Sequence, residues 1–314
     1  MTGISDESRS SSIIQKKGIK IVVESMISSI ALLAYGQQFV SGDKNGKIRR
    51  WQMEDGEEVG APINAESSVR CIATSQDGKR IVAGTETTGV SVWDVQSREK
   101  LTEFVRAQKG VNSVDISSDG TKILIAWDDK IIDIYSLPDG KKLYGRKNCD
   151  FLLVKFSPDG LFVCGVKRSK SSSLEVIDIQ NADLLCNIRI SARSVAWTSD
   201  SKQLFTLSFD GNILCVEASG GKTLSKWSIP GNDSPTCISL SSNGAFIAAS
   251  ASSSVSFWDT STQEQIGSII HHLGSVSSMA ISQNYDLVIA GNSTISLWDL
   301  LNVLSTPGNQ VGGF

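Results

Sequence analysis

The sequence predicts an all-β protein, a seven-bladed β-propeller closed by its N-terminal strand, and three observations predict it. The first is a residue pair ending the last apolar run of each of seven units: Trp51-Gln52, Trp93-Asp94, Tyr135-Ser136, Ile177-Asp178, Val216-Glu217, Trp258-Asp259 and Trp298-Asp299. The second is their spacing of 42, 42, 42, 39, 42 and 40 residues. A fixed period in the forties marks an array whose units bury their apolar faces only against one another. The third is the make-up of each unit, short β-branched runs bounded by turn residues, which excludes a helical repeat.

Residues 1–17 are rich in Ser and charge without periodicity and are expected to be a disordered tail. The unit over 69–104 shows the grammar common to all seven. Val69-Arg70-Cys71-Ile72-Ala73 is a first strand, and Ser75-Gln76-Asp77-Gly78 a turn in which Asp bonds locally and Gly accepts φ > 0. Arg80 to Gly84, Gly89 to Asp94 and the more polar Lys100 to Phe104 supply three more strands. The same turn returns at Asp119-Gly120, Asp159-Gly160, Asp200-Ser201, Asn243-Gly244 and Asn284-Tyr285, with Gly36 in its place in unit one. Each four-stranded sheet has two faces to cover, and seven sheets packed around an axis cover them while protecting the edges. After Trp298-Asp299-Leu300 no fourth strand follows, so Ile19 to Val23 is expected to supply the outer strand of blade seven. The propeller then spans 18–301, with 302–314 a flexible C-terminal tail.

The Trp-Asp endings, the Ser-x-Asp-Gly turn as in Ser157-Pro158-Asp159-Gly160, and the four-strand unit together resemble the WD40 repeat family over 18–301. That resemblance implies a blade network of His, Ser, Asp and Trp. Here His272, Ser278 and Trp298 stand in its places and Asn292 replaces the Asp. Asp129 and Asp210 hold the Asp place in units three and five, but without the His and Trp. It also implies which residues face the channel mouth. In register, the residue after the first apolar residue of strand one is Ser28, Arg70, Asn112, Leu152, Arg193, Thr236 or Ser277. The residue before the network Asp is Lys44, Glu86, Asp128, Lys170, Phe209, Ala251 or Gly291. The position after the first set is small in six of seven units (Ser29, Cys71, Ser113, Ser194, Cys237, Ser278), which a crowded inner strand would demand.

Thirty basic against thirty-three acidic residues give a net charge of −3, which argues against general nucleic-acid or membrane-surface binding. Six cysteines without a CxxC pair, four of them inside apolar runs, read as reduced packing residues. Met1 to Ser12 lacks the apolar stretch of a signal peptide, and no run approaches the ~20 residues that span a bilayer. The expectation is an intracellular protein, cytoplasmic or nuclear.

The sequence holds no GxSxG, GxxxxGK[ST], HExxH or GxGxxG motif. His271 and His272 are adjacent and would point to opposite faces of a strand, so they do not form a two-His metal site. With no nucleophile, metal cluster or cofactor motif, the reading is not an enzyme and no cofactor. What remains is surface. The resemblance implies a scaffold or adaptor, itself monomeric, binding a peptide or protein partner at the channel mouth within a larger complex. The candidate face is Arg70, Asn112, Leu152, Lys170, Arg193 and Phe209. Arg193 and Phe209 share a unit, and an aromatic beside Arg is a frequent source of binding energy. The enlarged loop Lys167-Arg168-Ser169-Lys170-Ser171-Ser172-Ser173 lies next to them, read either as functional or as a solvated basic loop. The alternative is a ligand-binding propeller, a lectin or phosphate-group sensor using Arg70, Arg193 and Lys170, with Trp127 as the one placed sugar platform.

Overall fold

Short runs of alternating Val, Ile and small residues between tight turns make strands that pair locally, and a computed structural model shows seven sheets of four. It describes residues 18–33, 36–168, 173–230 and 234–305. In blades one to six the strands follow chain order from the axis outward. The inner strands include Val69–Thr74, Val111–Ile116, Phe151–Phe156 and Ala192–Trp197. Outer strands such as Lys142–Lys147 are largely exposed, as their polar sequences require.

The core lies between the blades. Each apolar cluster joins two neighbours: Leu33, Val40 and Ile48 of blade one meet Val69, Ile81 and Trp93 of blade two. The last seam brings Val288, Ile295 and Leu297 against Ile27, Phe39 and Trp51. Trp51, Trp93 and Trp258 are buried in these seams, whereas Trp298 is only half-buried.

Ile19–Val22 pairs antiparallel with Thr294–Asp299, with Ile19 opposite Leu297 and Val22 opposite Thr294. The outer strand of blade seven therefore comes from the other end of the chain. The C-terminal side departs from expectation. Residues 302–304, read as flexible tail, belong to a short helix, Leu300–Leu304. Asp299 caps it by accepting from the Leu301 amide at 3.0 Å. Leu300 is buried, and Val303 and Leu304 pack against the seam of blades six and seven. Gly267, at φ +63, makes room: a Cβ there would lie 2.7 Å from the Val303 carbonyl oxygen. Residues 1–17 and 306–314 lie outside the described residues.

Candidate functional site at the channel mouth

The inner strands share one irregularity. Their pairing with the second strand slips between Ile27 and Ser29, Val69 and Cys71, Val111 and Ser113, Phe151 and Leu153, and Ala192 and Ser194. The extra residues are Ser28, Arg70, Asn112, Leu152 and Arg193. Five of the positions expected at the mouth are thus bulge residues, and a bulge re-aims one side chain out of the ladder.

The serines at this inner-strand position have a second task. The inner strand has no partner on its channel side, so its amides need acceptors. Ser29 Oγ accepts from Ile72 N at 3.1 Å, Ser113 Oγ from Val154 N at 3.2 Å, Ser194 Oγ from Ile238 N at 3.1 Å and Ser278 Oγ from Ile30 N at 3.3 Å. Each bond crosses to the next blade. Hydrogen bonding as well as crowding therefore selects Ser here.

On the mouth itself the Arg193 guanidinium sits 5.0 Å from the centroid of the Phe209 ring, which is 45% exposed. The Phe209 amide donates to Ser191 O at 2.8 Å and holds the loop to the bulge. Arg70 pairs with Glu86 at 3.0 Å, both at the surface. Asn112 donates to Phe151 O at 3.0 Å and accepts from Arg168 at 2.8 Å. Leu152 is half-buried. The structure brings Arg193 and Phe209 together, and Lys170 lies outside the described residues.

The network around His272 has other members than the resemblance implied. His272 is buried, with Nδ1 3.0 Å from Ser296 Oγ, and Nε2 3.0 Å from Thr294 Oγ1 and 3.3 Å from Gly291 O. Ser278 serves the blade-one seam instead, Asn292 is exposed, and the Trp298 Nε1 is buried without a partner. Thr294, Ser296 and Trp298 share a strand face, but Ser296 and Thr294 stand against His272, whereas in blade six the equivalent Ser256 accepts from Trp258 Nε1 at 2.9 Å. Burial, rather than a carboxylate, governs this imidazole and holds it below its ordinary value of 6.5. Folding thus favours neutral His272, and its stabilising share is present above that value and is lost as pH falls below it. Melting temperature is expected to decline below pH 6.5, and His272→Gln to flatten that part of the profile; an unchanged profile in the variant would exclude His272 as its source.

Two further sequence expectations are corrected. Trp127 is fully buried and is no sugar platform; its Nε1 donates to Asp133 at 3.0 Å. The network places of Asp129 and Asp210 serve other ends. Asp129 pairs with Arg106 at 3.0 Å, and Asp210 accepts from Ser208 and from Asn212 within its own turn. The buried acid of blade three is Asp133, which also takes Arg106 at 3.2 Å and Lys142 at 2.6 Å.

Sequence reasoning missed the channel pair. A cavity of about 470 Å³ runs along the axis. Where other blades line it with Ala31, Ala73, Ala196, Ser239 and Ala280, blades three and four place Asp115 and Lys155. Lys155 Nζ stands 3.3 Å from Asp115 Oδ1, and Asp115 Oδ2 accepts from Phe156 N at 2.8 Å. The Asp115 carboxylate raises the Lys155 ammonium above its usual range. The signal was present: two charges in a register position that is otherwise small.

No group of His, Cys, Asp and Glu able to hold a metal stands among the described residues, and no described helix is long and apolar enough to cross a membrane. Residues 60–94, 223–259 and 263–299 match the family model described as WD domain, G-beta repeat. These stretches end on the Trp-Asp pairs of blades two, six and seven. The Arabidopsis thaliana protein named "U3 snoRNP-associated protein-like EMB2271" is 25% identical over 154 residues, 41% of this chain and 32% of the relative. The chain thus spans about a third of that relative's length.

Proposed function

We propose that this chain, which carries WD40 repeats in a seven-bladed β-propeller, is a non-catalytic interaction scaffold that takes a peptide or protein partner at the channel mouth. The observation that carries the reading is the Arg193–Phe209 pair. A planar donor fork lies over a rigid ring that remains 45% exposed, on a bulge fixed by the blade behind it. Such pairs dominate binding energy once a partner desolvates them. A relative named as snoRNP-associated fits membership of a larger complex, and with it an intracellular, nuclear or cytoplasmic, location. The ligand-sensor alternative is weaker. Its sugar platform is buried, and Arg70 is already occupied by Glu86.

Affinity capture with the tagged full chain, read by mass spectrometry, identifies the partner. Arg193→Glu and Phe209→Ala are each expected to weaken its capture at least about tenfold (~1.4 kcal/mol) without lowering the melting temperature. Asp119→Ala removes a turn acceptor for Ser117 and Thr121 on the opposite rim and should leave capture intact. Loss of capture in that variant alone would move the binding face to the other end of the ring.

A further inference from the structure

The mouth face is not electrically uniform. Over blades three to five it presents the exposed Lys130, Lys147, Arg189 and Arg193, and none of the four takes part in an ion pair among the described residues. Strand register places all four at the same end of their blades. Lys147 stands opposite Ile131, beside Lys130, whose carbonyl accepts from Cys149 N at 2.8 Å. Arg189 stands opposite Ser173 at the same end of blade four, and Arg193 is the bulge residue of blade five. Between them Arg168 is anchored to Asn112.

Most carboxylates of this sector are already engaged. Arg106 takes Asp129 and Asp133, Lys167 takes Glu175, the Gly110 amide donates to Asp128, and Asp210 is held within its turn. Asp150 is left as the acid without such a partner among the described residues. The turn acids Asp77, Asp119, Asp159 and Asp200 all stand on the opposite rim, between the inner and second strands. A net charge of −3 therefore conceals a positive sector on the proposed binding face.

We propose that this sector docks an acidic peptide segment of a protein partner, with its carboxylates met by Lys130, Lys147, Arg189 and Arg193 and an apolar side chain resting on Phe209. The inference rests on the scaffold reading above and names the chemistry of its partner. Cations distributed over three blades, with Asp150 and Asp129 in the same sector, suit discrete carboxylates. A phosphodiester backbone calls for a continuous basic track and draws its affinity from it.

The test uses the full chain and a fluorescent Glu-rich peptide containing Leu, read by anisotropy at low and at physiological ionic strength. The same peptide with Lys for Glu, and an oligouridine of equal length, are the comparisons. The acidic peptide is expected to bind, to weaken with salt, and to lose at least about tenfold in the double variant Lys147→Glu, Arg189→Glu. Both side chains are exposed, so melting should not change, and Lys202→Glu on the opposite rim should bind as the parent does. Three results overturn the proposal: no binding of the acidic peptide, binding indifferent to the double variant, or oligouridine bound as tightly through the same residues. Should Arg193→Glu abolish partner capture while the acidic peptide is ignored, the scaffold reading stands and the acidic class falls. Should capture ignore Arg193 and Phe209 altogether, it is the scaffold reading at this face that fails.

Discussion

Deleting residues 1–25 is expected to lower the melting temperature by roughly 10–20 °C or to cause aggregation, whereas deleting 1–12 should change nothing. The longer deletion removes Ile19–Val22, whose ladder to Thr294–Asp299 is the outer edge of blade seven. It also strips Ile19, Ile21 and Val23 from the seam that holds Trp51, Met53 and Leu297. Gly18 packs so closely on Trp298 that a Cβ there would lie 2.8 Å from the indole. Partial burial of three apolar side chains and a few ladder bonds amount to about 5 kcal/mol. At ~2–4 °C per kcal/mol for a chain of this size, that gives the stated drop. An exposed third strand adds an aggregation-prone edge. Differential scanning calorimetry of the two truncations decides it: equal melting of the longer deletion and the parent would show that ring closure does not stabilise the fold.

Trp127→Ala is expected to cost about 3–5 kcal/mol in urea unfolding, the range for emptying a buried aromatic site. The indole is fully buried, bonded to Asp133, and covered by Arg106 at 5.7 Å from its centroid. Trp298→Ala should cost clearly less, because that ring is half-buried and its nitrogen has no partner. A reading from the Trp-Asp signature alone would rank them the other way, since Trp298 carries the signature and Trp127 does not. Equal losses would show that the seam between blades two and three relaxes around the cavity.

The difference between those two tryptophans shows how much was legible. The number of blades, their boundaries and the register of the inner strands rest on local chemistry. Ser-x-Asp-Gly turns such as Ser157 to Gly160 bond within themselves, the Ser157 hydroxyl donating to Asp159 and accepting from Phe162 N. Strand alternation likewise concerns neighbours in the chain, so seven in-register repeats report the ring and the bulge positions of Arg70, Asn112 and Arg193. Closure was legible for a related reason, an unpaired strand at one end answering a missing strand at the other.

What the sequence by itself determined is therefore the ring, its register, and the inner-strand positions of Ser28, Arg70, Asn112, Leu152 and Arg193 at which the ladder slips. Tertiary structure alone decided which of these remain available. Arg70 is occupied by Glu86 and Asn112 by Arg168, while Arg193 lies over an exposed Phe209. It also decided that His272 meets Ser296 rather than Trp298, that Asp133 is the buried acid of blade three, and that Asp115 and Lys155 meet in the channel. The physical reason is one of range. Turns and alternation are set by residues a few positions apart, whereas burial and charge pairing depend on side chains brought together by strand pairing and by packing of neighbouring blades, some of them roughly one repeat apart, and a divergent repeat carries no local mark of what its neighbour will offer.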